Sequence, residues 1–392
     1  MTQSAGLRAF AVIGLAGIAV AACSTTPPPP PPVQQPPVTQ PEPEPTPEPE
    51  PEPEVRTGLI PPHMADRDLV RVAVLLPFSA ENAGARAEAL RLLRAAELAL
   101  FERGSGNLLM IPKDTQGTPE GARATDTTVA GDGVYLMSFP PEIEVARIVE
   151  YASRQGVERF AYLGPQDRYG MAVYDALQNS AGLNGGYVAA DSFYTGDVEA
   201  MARASARLAS GVFEPLTPED ALELQRQEWV PDPDAAFQAV ILPEGSTRLR
   251  ALGPLLVSQN VDPLVVRFLG TGLWNDPELL REPALHGGWF AGPDQAARER
   301  FETSYREAYD SPPSRIASLA YDAMALAAHL DGGERGFSRE AIEEEQGFMG
   351  ADGLFRFRSD GLIERGLAIF EIRPRGLREI EPAPLSFEPQ AF

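Results

Sequence analysis

Residues 131–170 read GDGVYLMSFPPEIEVARIVEYASRQGVERFAYLGPQDRYG, and this stretch decides the fold. After the Pro140-Pro141 pair, Val145, Ile148, Val149 and Ala152 recur at the spacing of one helix face, and Gly156 supplies a stop. The spacing predicts a helix over 142–155. Phe160-Ala161-Tyr162-Leu163 is then a continuous apolar run, of the kind found in strands buried on both faces. A second helix is expected over 170–181. Helix, buried strand and helix in succession describe an α/β protein with a mostly parallel sheet.

The same alternation extends in both directions. Upstream, Val70–Leu76 (VRVAVLL) reads as a strand ended by Pro77. A helix over 86–103 carries Leu90, Leu93 and Leu100 and stops at Gly104; a strand over 108–111 follows. Downstream, strands are expected at 187–193, 239–242, 264–269 and 288–291, and helices at 198–210, 246–258, 295–309, 314–330 and 339–345. An acidic insertion occupies 214–234. The chain closes on a hairpin-like pair, 353–357 and 366–372. No short-period repeat is present, which argues against solenoids and propellers.

The N-terminal end has a different composition. Residues 1–22 carry one cation, Arg8, and an apolar run too short to span a bilayer, which reads as a signal peptide. It ends in Val20-Ala21-Ala22-Cys23, the small-residue pattern of a lipoprotein cleavage site, and Cys23 is the single cysteine of the chain. Residues 26–62 are nearly half proline, with a Pro-Glu alternation from Pro41 to Glu54. Proline fixes φ and the glutamates repel one another, so 23–66 is expected to be an extended linker reaching roughly 100 Å. The body, 67–374, divides into a first lobe of about 67–138 and 292–336 and a second of about 139–291 and 337–374. Residues 375–392 form a Pro-rich tail. The net charge of −23 disfavours nucleic acid and anionic lipid surfaces as partners.

Several segments together carry a resemblance: RVAVLLPFSA, DTQGTPEGA, the 131–170 block, SLAYDAMALAAHL and GADGLFRFRSDGLIERGLAIFEI. They resemble the type I periplasmic binding proteins, in the Leu/Ile/Val-binding branch. With the lipobox and the proline linker, the chain looks like the penicillin-binding-protein activators (LpoA-like lipoproteins). The resemblance implies a two-lobed α/β fold with a cleft. It also implies lipidation of Cys23, an outer-membrane anchor facing the periplasm, and a bifunctional peptidoglycan synthase as partner, with the membrane touched only through the lipid. One departure is large. Gly121 lies ten residues from Gly131, where the family has an intervening helix-strand-helix-strand stretch of about 40 to 45 residues by usual element lengths. The first lobe is therefore expected to lack two strands, and with them half of the amino-acid pocket of those relatives.

Candidate cleft residues stand at the C-terminal ends of strands, where α/β proteins bind ligands. They are Ser79 after the first strand, Asp114 and Thr115 after the second, Asp167, Arg168 and Tyr169 after the 160–163 strand, and Glu244 after the 239–242 strand. Trp229 and Trp274 are read as loop tryptophans that could touch a protein partner. Catalysis finds little support. His63, His286 and His329 are not at metal-ligand spacing, and Lys113, the only lysine, lacks a serine three positions before it. Gly270-Thr271-Gly272 reads as a turn rather than a phosphate cradle. The expectation is a non-enzymatic protein without metal or cofactor that activates a penicillin-binding protein by contact. The competing expectation is a periplasmic solute receptor for amino acids or short peptides that feeds an ABC transporter.

Overall fold

The computed structural model describes residues 61, 64, 66–104, 106–117, 130–131 and 133–387. The leader, Cys23, the proline linker, His63 and nearly all of the 121–131 junction lie outside the described residues.

Local chemistry sets where the elements begin. β1 (Val70–Leu76) runs into Pro77, and α1 (Ala83–Arg103) starts where the Asn82 side chain accepts from the Gly84 and Ala85 amides at 2.7 and 3.2 Å. Gly104, at φ 66°, ends α1 in the left-handed conformation before β2 (Leu108–Asp114). α2 (Pro141–Arg154) opens with proline in its first turn and with Glu142 and Glu144 at its positive end. β3 (Arg159–Pro165) follows, and Asp167 caps α3 (Arg168–Leu183) by accepting from the Gly170 amide at 2.8 Å. Next come β4 (Tyr187–Tyr194), α4 (Val198–Ala209), α5 (Pro218–Leu224), β5 (Ala239–Ile241), α6 (Ser246–Val257), β6 (Arg267–Gly270) and β7 (Trp289–Gly292). The rest comprises α7 (Gln295–Tyr309), α8 (Ala317–Asp331), α9 (Arg339–Ile342), β8 (Phe348–Gly350), β9 (Gly353–Phe357), β10 (Ile363–Arg365), β11 (Ala368–Arg373) and β12 (Gly376–Glu381).

Lobe 2 is organised by a seven-stranded sheet in the order β12-β11-β7-β6-β5-β3-β4. Its strands are parallel from β4 to β7, while β11 and β12 run antiparallel at one edge. Along β3, Ala161 and Leu163 join one core cluster with Phe268, Trp274 and Phe290, and Phe160 and Tyr162 join another with Ile148, Leu177 and Leu269. Alternate residues thus serve opposite faces, as a sheet covered on both sides requires. Lobe 1 is slighter. Among the described residues its sheet holds only β1 and β2, paired in parallel from Val70↔Leu108 to Leu76↔Asp114. α1, α7 and α8 complete its core through Ala95, Ala99, Phe301, Tyr305, Ala325 and Ala328.

The C-terminal expectations need correction. The 353–357 and 366–372 strands are not partners: β9 pairs with β8 and β10, whereas β11 pairs with β7 and β12. A three-residue strand, β10, intervenes and takes the place opposite β9. The resulting three-stranded sheet packs Phe355, Phe357 and Ile363 against Leu326 of α8 and Tyr135. The 348–365 part of the segment assigned to lobe 2 therefore sits on lobe 1's helix. The expected 375–392 tail begins as strand β12, because Gly376 makes the turn that returns the chain along β11. Within the acidic insertion, Thr217 caps α5.

Candidate functional site

The parallel strands of lobe 2 end together, and the loops leaving them gather most of the cleft candidates. Tyr169, in the first turn of α3, shares a 2.8 Å hydroxyl–hydroxyl hydrogen bond with Thr271, which is fully buried just beyond β6. Burial pushes the Tyr169 phenol up to about 12. Asp167 is committed to the α3 cap and Arg168 is the first residue of that helix. Glu244 is tied down within the chain. It is buried, accepting from the Tyr194 hydroxyl at 2.8 Å and from Arg248 Nε at 2.9 Å, and so brackets the β4 and β5 ends. In lobe 1, Asp114 accepts from the Ser79 and Gln116 amides at 3.1 and 2.9 Å. The Ser79 hydroxyl, then the Gln116 amide, hold its carboxyl below the ordinary value. The Thr115 amide donates to Leu76 O at 3.0 Å.

One residue at this site escaped sequence reading. Glu144, in the first turn of α2, is buried and accepts from the Gly272 amide at 2.9 Å. Burial pushes its carboxyl up to about 7, against the hydrogen bond from Gly272 and the positive charges of Arg315 and Arg365. Arg315 precedes α8 and so brings lobe 1 to this point: its Nη2 lies 3.4 Å from where a β-carbon at Gly272 would stand. The same β-carbon would meet Glu144 Oε1 at 2.5 Å, so glycine is required for the carboxylate to enter. The Gly270-Thr271-Gly272 segment is indeed a tight turn, and its glycines admit Trp274 on one side and Glu144 on the other. The available sequence signal was a glutamate three residues after Pro141 together with a lone G-x-G.

Behind the seam lies a buried ionic group. Arg298 of α7 donates to Asp352 at 2.8 Å, Asp322 of α8 accepts from the Ala351 amide at 2.6 Å, and Arg365 of β10 stands 4.0 Å from Asp322. Burial first, then the like charge of Asp352, push the Asp322 carboxyl up to about 7. Arg365 also donates to Ser138 O at 3.0 Å and lies 4.6 Å over the Phe139 ring, which ties the 131–139 segment to β10. These groups tie together α7, α8 and β10.

The tryptophans separate. Trp274 is fully buried in the lobe 2 core and donates to Leu242 O at 3.1 Å, which corrects its reading as a partner contact. Its flanking Gly, Asn and Asp suggested a surface loop, but those residues form the turn that folds the indole inward. Trp229 is half-buried, donates to Val265 O at 3.2 Å and packs edge-on against Trp289. Among the described residues, no group of three or more His, Cys, Asp or Glu is placed to hold a metal ion.

No protein-family model and no curated protein matches the sequence. Solved structures do. A protein described as a branched-chain amino acid ABC transporter from Rhodospirillum rubrum superposes with a TM-score of 0.60 at 16% identity, over 80% of this chain and 100% of that one. An ABC transporter substrate-binding protein from Sphaerobacter thermophilus gives 0.55 at 16% identity, over 80% and 96%. A solute-binding protein of R. palustris, in complex with benzoate, gives 0.53 at 16% identity, over 82% and 98%. The fold is the two-lobed periplasmic-binding-protein-like α/β fold with mostly parallel sheets. At this identity the likeness carries the fold and not the ligand.

Proposed function

We propose that this chain is a non-catalytic binding protein of the periplasmic solute-receptor kind, which takes a small ligand between its lobes. One observation carries the reading: Arg315 of lobe 1 comes beside Gly272 of lobe 2 and within electrostatic reach of Glu144, next to the Tyr169–Thr271 pair. A ligand that displaces the Tyr169–Thr271 hydrogen bond finds a guanidinium, a carboxyl near its titration point and two hydroxyls, the groups that a zwitterionic amino acid or short peptide requires. Calorimetric titration with amino acids and short peptides tests it. Saturable binding by one of these classes is expected, and an absence of heat from all of them refutes the receptor reading.

A second reading keeps the expectation of an outer-membrane lipoprotein, anchored through Cys23, that activates a penicillin-binding protein by contact. It is favoured by Asp167, Glu244 and Asp114, whose carboxylates are already engaged within the chain at the strand ends. In this reading the fold works through its outer surface and the linker provides reach. A purified bifunctional synthase should then polymerise or cross-link faster when the chain is added; an unchanged rate rejects it.

A further inference from the structure

A cavity of about 1220 Å³ opens on lobe 2 at the end of the sheet away from Thr271 and Gly272. Its floor includes Arg267 and Trp289, the first residues of β6 and β7, so it lies at the N-terminal ends of the parallel strands. Arg267 is 95% buried by its 5% exposure, and its guanidinium carbon sits 4.5 and 4.6 Å from the ring centroids of Trp229 and Trp289. It donates to Gly287 O through Nη1, while its buried Nε–H has no acceptor. Arg267 thus braces the two indoles at the floor of the groove.

The rim has an unbalanced charge. Arg373 and Arg378 both bind Glu371, at 2.8 and 2.9 Å. Glu228, Asp262, Glu282 and Glu379 also line the groove, and among the described residues none of them lies within ion-pair distance of an arginine, lysine or histidine. Asp262 and Glu282 accept from the backbone amides of Leu264 and Ala284, at 2.8 and 3.2 Å. The volume exceeds the usual 300–1,000 Å³ of small-molecule pockets. Aromatic walls with an acidic rim instead match an extended chain that carries cations.

We propose that this groove docks an extended basic segment of a partner protein, with its lysines or arginines on Glu228 and Glu379 and its apolar residues or prolines on the half-buried Trp229. The site lies apart from the interlobe seam, so it stands or falls independently of the function proposed there.

The test is titration of the full chain with alternating Lys–Pro, Glu–Pro and Ser–Pro octapeptides, followed by tryptophan emission and calorimetry. Two of the three tryptophans line the groove and Trp274 is buried elsewhere, so emission reports occupancy. The Lys–Pro peptide should bind, more weakly as salt rises, and Glu–Pro should not. Combined Glu228→Lys and Glu379→Lys, both at exposed positions, should weaken Lys–Pro binding by about tenfold or more with an unchanged melt. Trp229→Ala should weaken it similarly. The proposal is overturned if no peptide binds, if Glu–Pro binds as well as Lys–Pro, or if the charge reversals leave the affinity unchanged.

Discussion

Lobe 2 and lobe 1 are built from the same kinds of element and differ in how completely they bury them. In lobe 2, every residue of β5, β6 and β7 is buried, as are all but the first of β3, and helices cover both faces. In lobe 1, β1 alternates half-buried and exposed, and Leu75 on β1 and Phe101 on α1 are 58% and 79% exposed. The difference teaches where cohesion resides. Lobe 2 stands on its own core, whereas lobe 1, among the described residues, relies on α1, α7 and α8 packing over a two-stranded sheet.

The largest expected effect comes from Trp274→Ala. Removing an indole that fills the space beside Gly270 and Gly288 should cost about 3–5 kcal/mol in denaturant unfolding. A cost below about 1 kcal/mol would mean that lobe 2 is not the tightly packed partner. Next is a pH effect at the seam. The folded pKa of Glu144 is raised, so its contribution is present at low pH and lost as pH rises towards 7. Glu144→Gln should therefore gain on the wild type between about pH 5 and pH 8, by about 3 kcal/mol at most. Thermal melts across that range check it; a gain at the acidic end instead would reverse the assignment.

Hydrogen exchange probes the two lobes directly. Amides of β1 and β2 should open at lower free energy than those of β3, β5 and β6, and equal protection would erase the contrast. Smallest of all, Phe101→Ser should change stability by no more than about 0.5 kcal/mol, because the ring has little packing to lose. A loss of 2 kcal/mol or more, roughly the cost of a buried side chain, would show that lobe 1 has cover over that helix.

Much of this contrast could be read in the chain. The continuous run Phe160–Leu163 identified a strand buried on both faces, and the spacing of Val145, Ile148, Val149 and Ala152 identified the helix before it; all are buried. Pairing partners could not be read, because β9 and β11 are each locally good strands and nothing local chooses β10 or β7 for them. Three-residue strands such as β8 and β10 are too short to carry a period. The seam was half legible. Tyr169 was found from its place after a strand, while Glu144 looked like an ordinary first-turn acid, since Gly272, far along the chain, is what gives it a role. Trp274 misled for the converse reason: its polar neighbours describe the turn and not the ring.

In the receptor proposed above, the two lobes bind ligand jointly at the Glu144–Arg315 seam. A double-mutant cycle on amino-acid or short-peptide affinity, using Glu144→Gln and Arg315→Ala, tests it most directly. Each single change should weaken binding by about tenfold or more, and the double change should cost measurably less than the sum. Wild-type affinity in both single variants would contradict it.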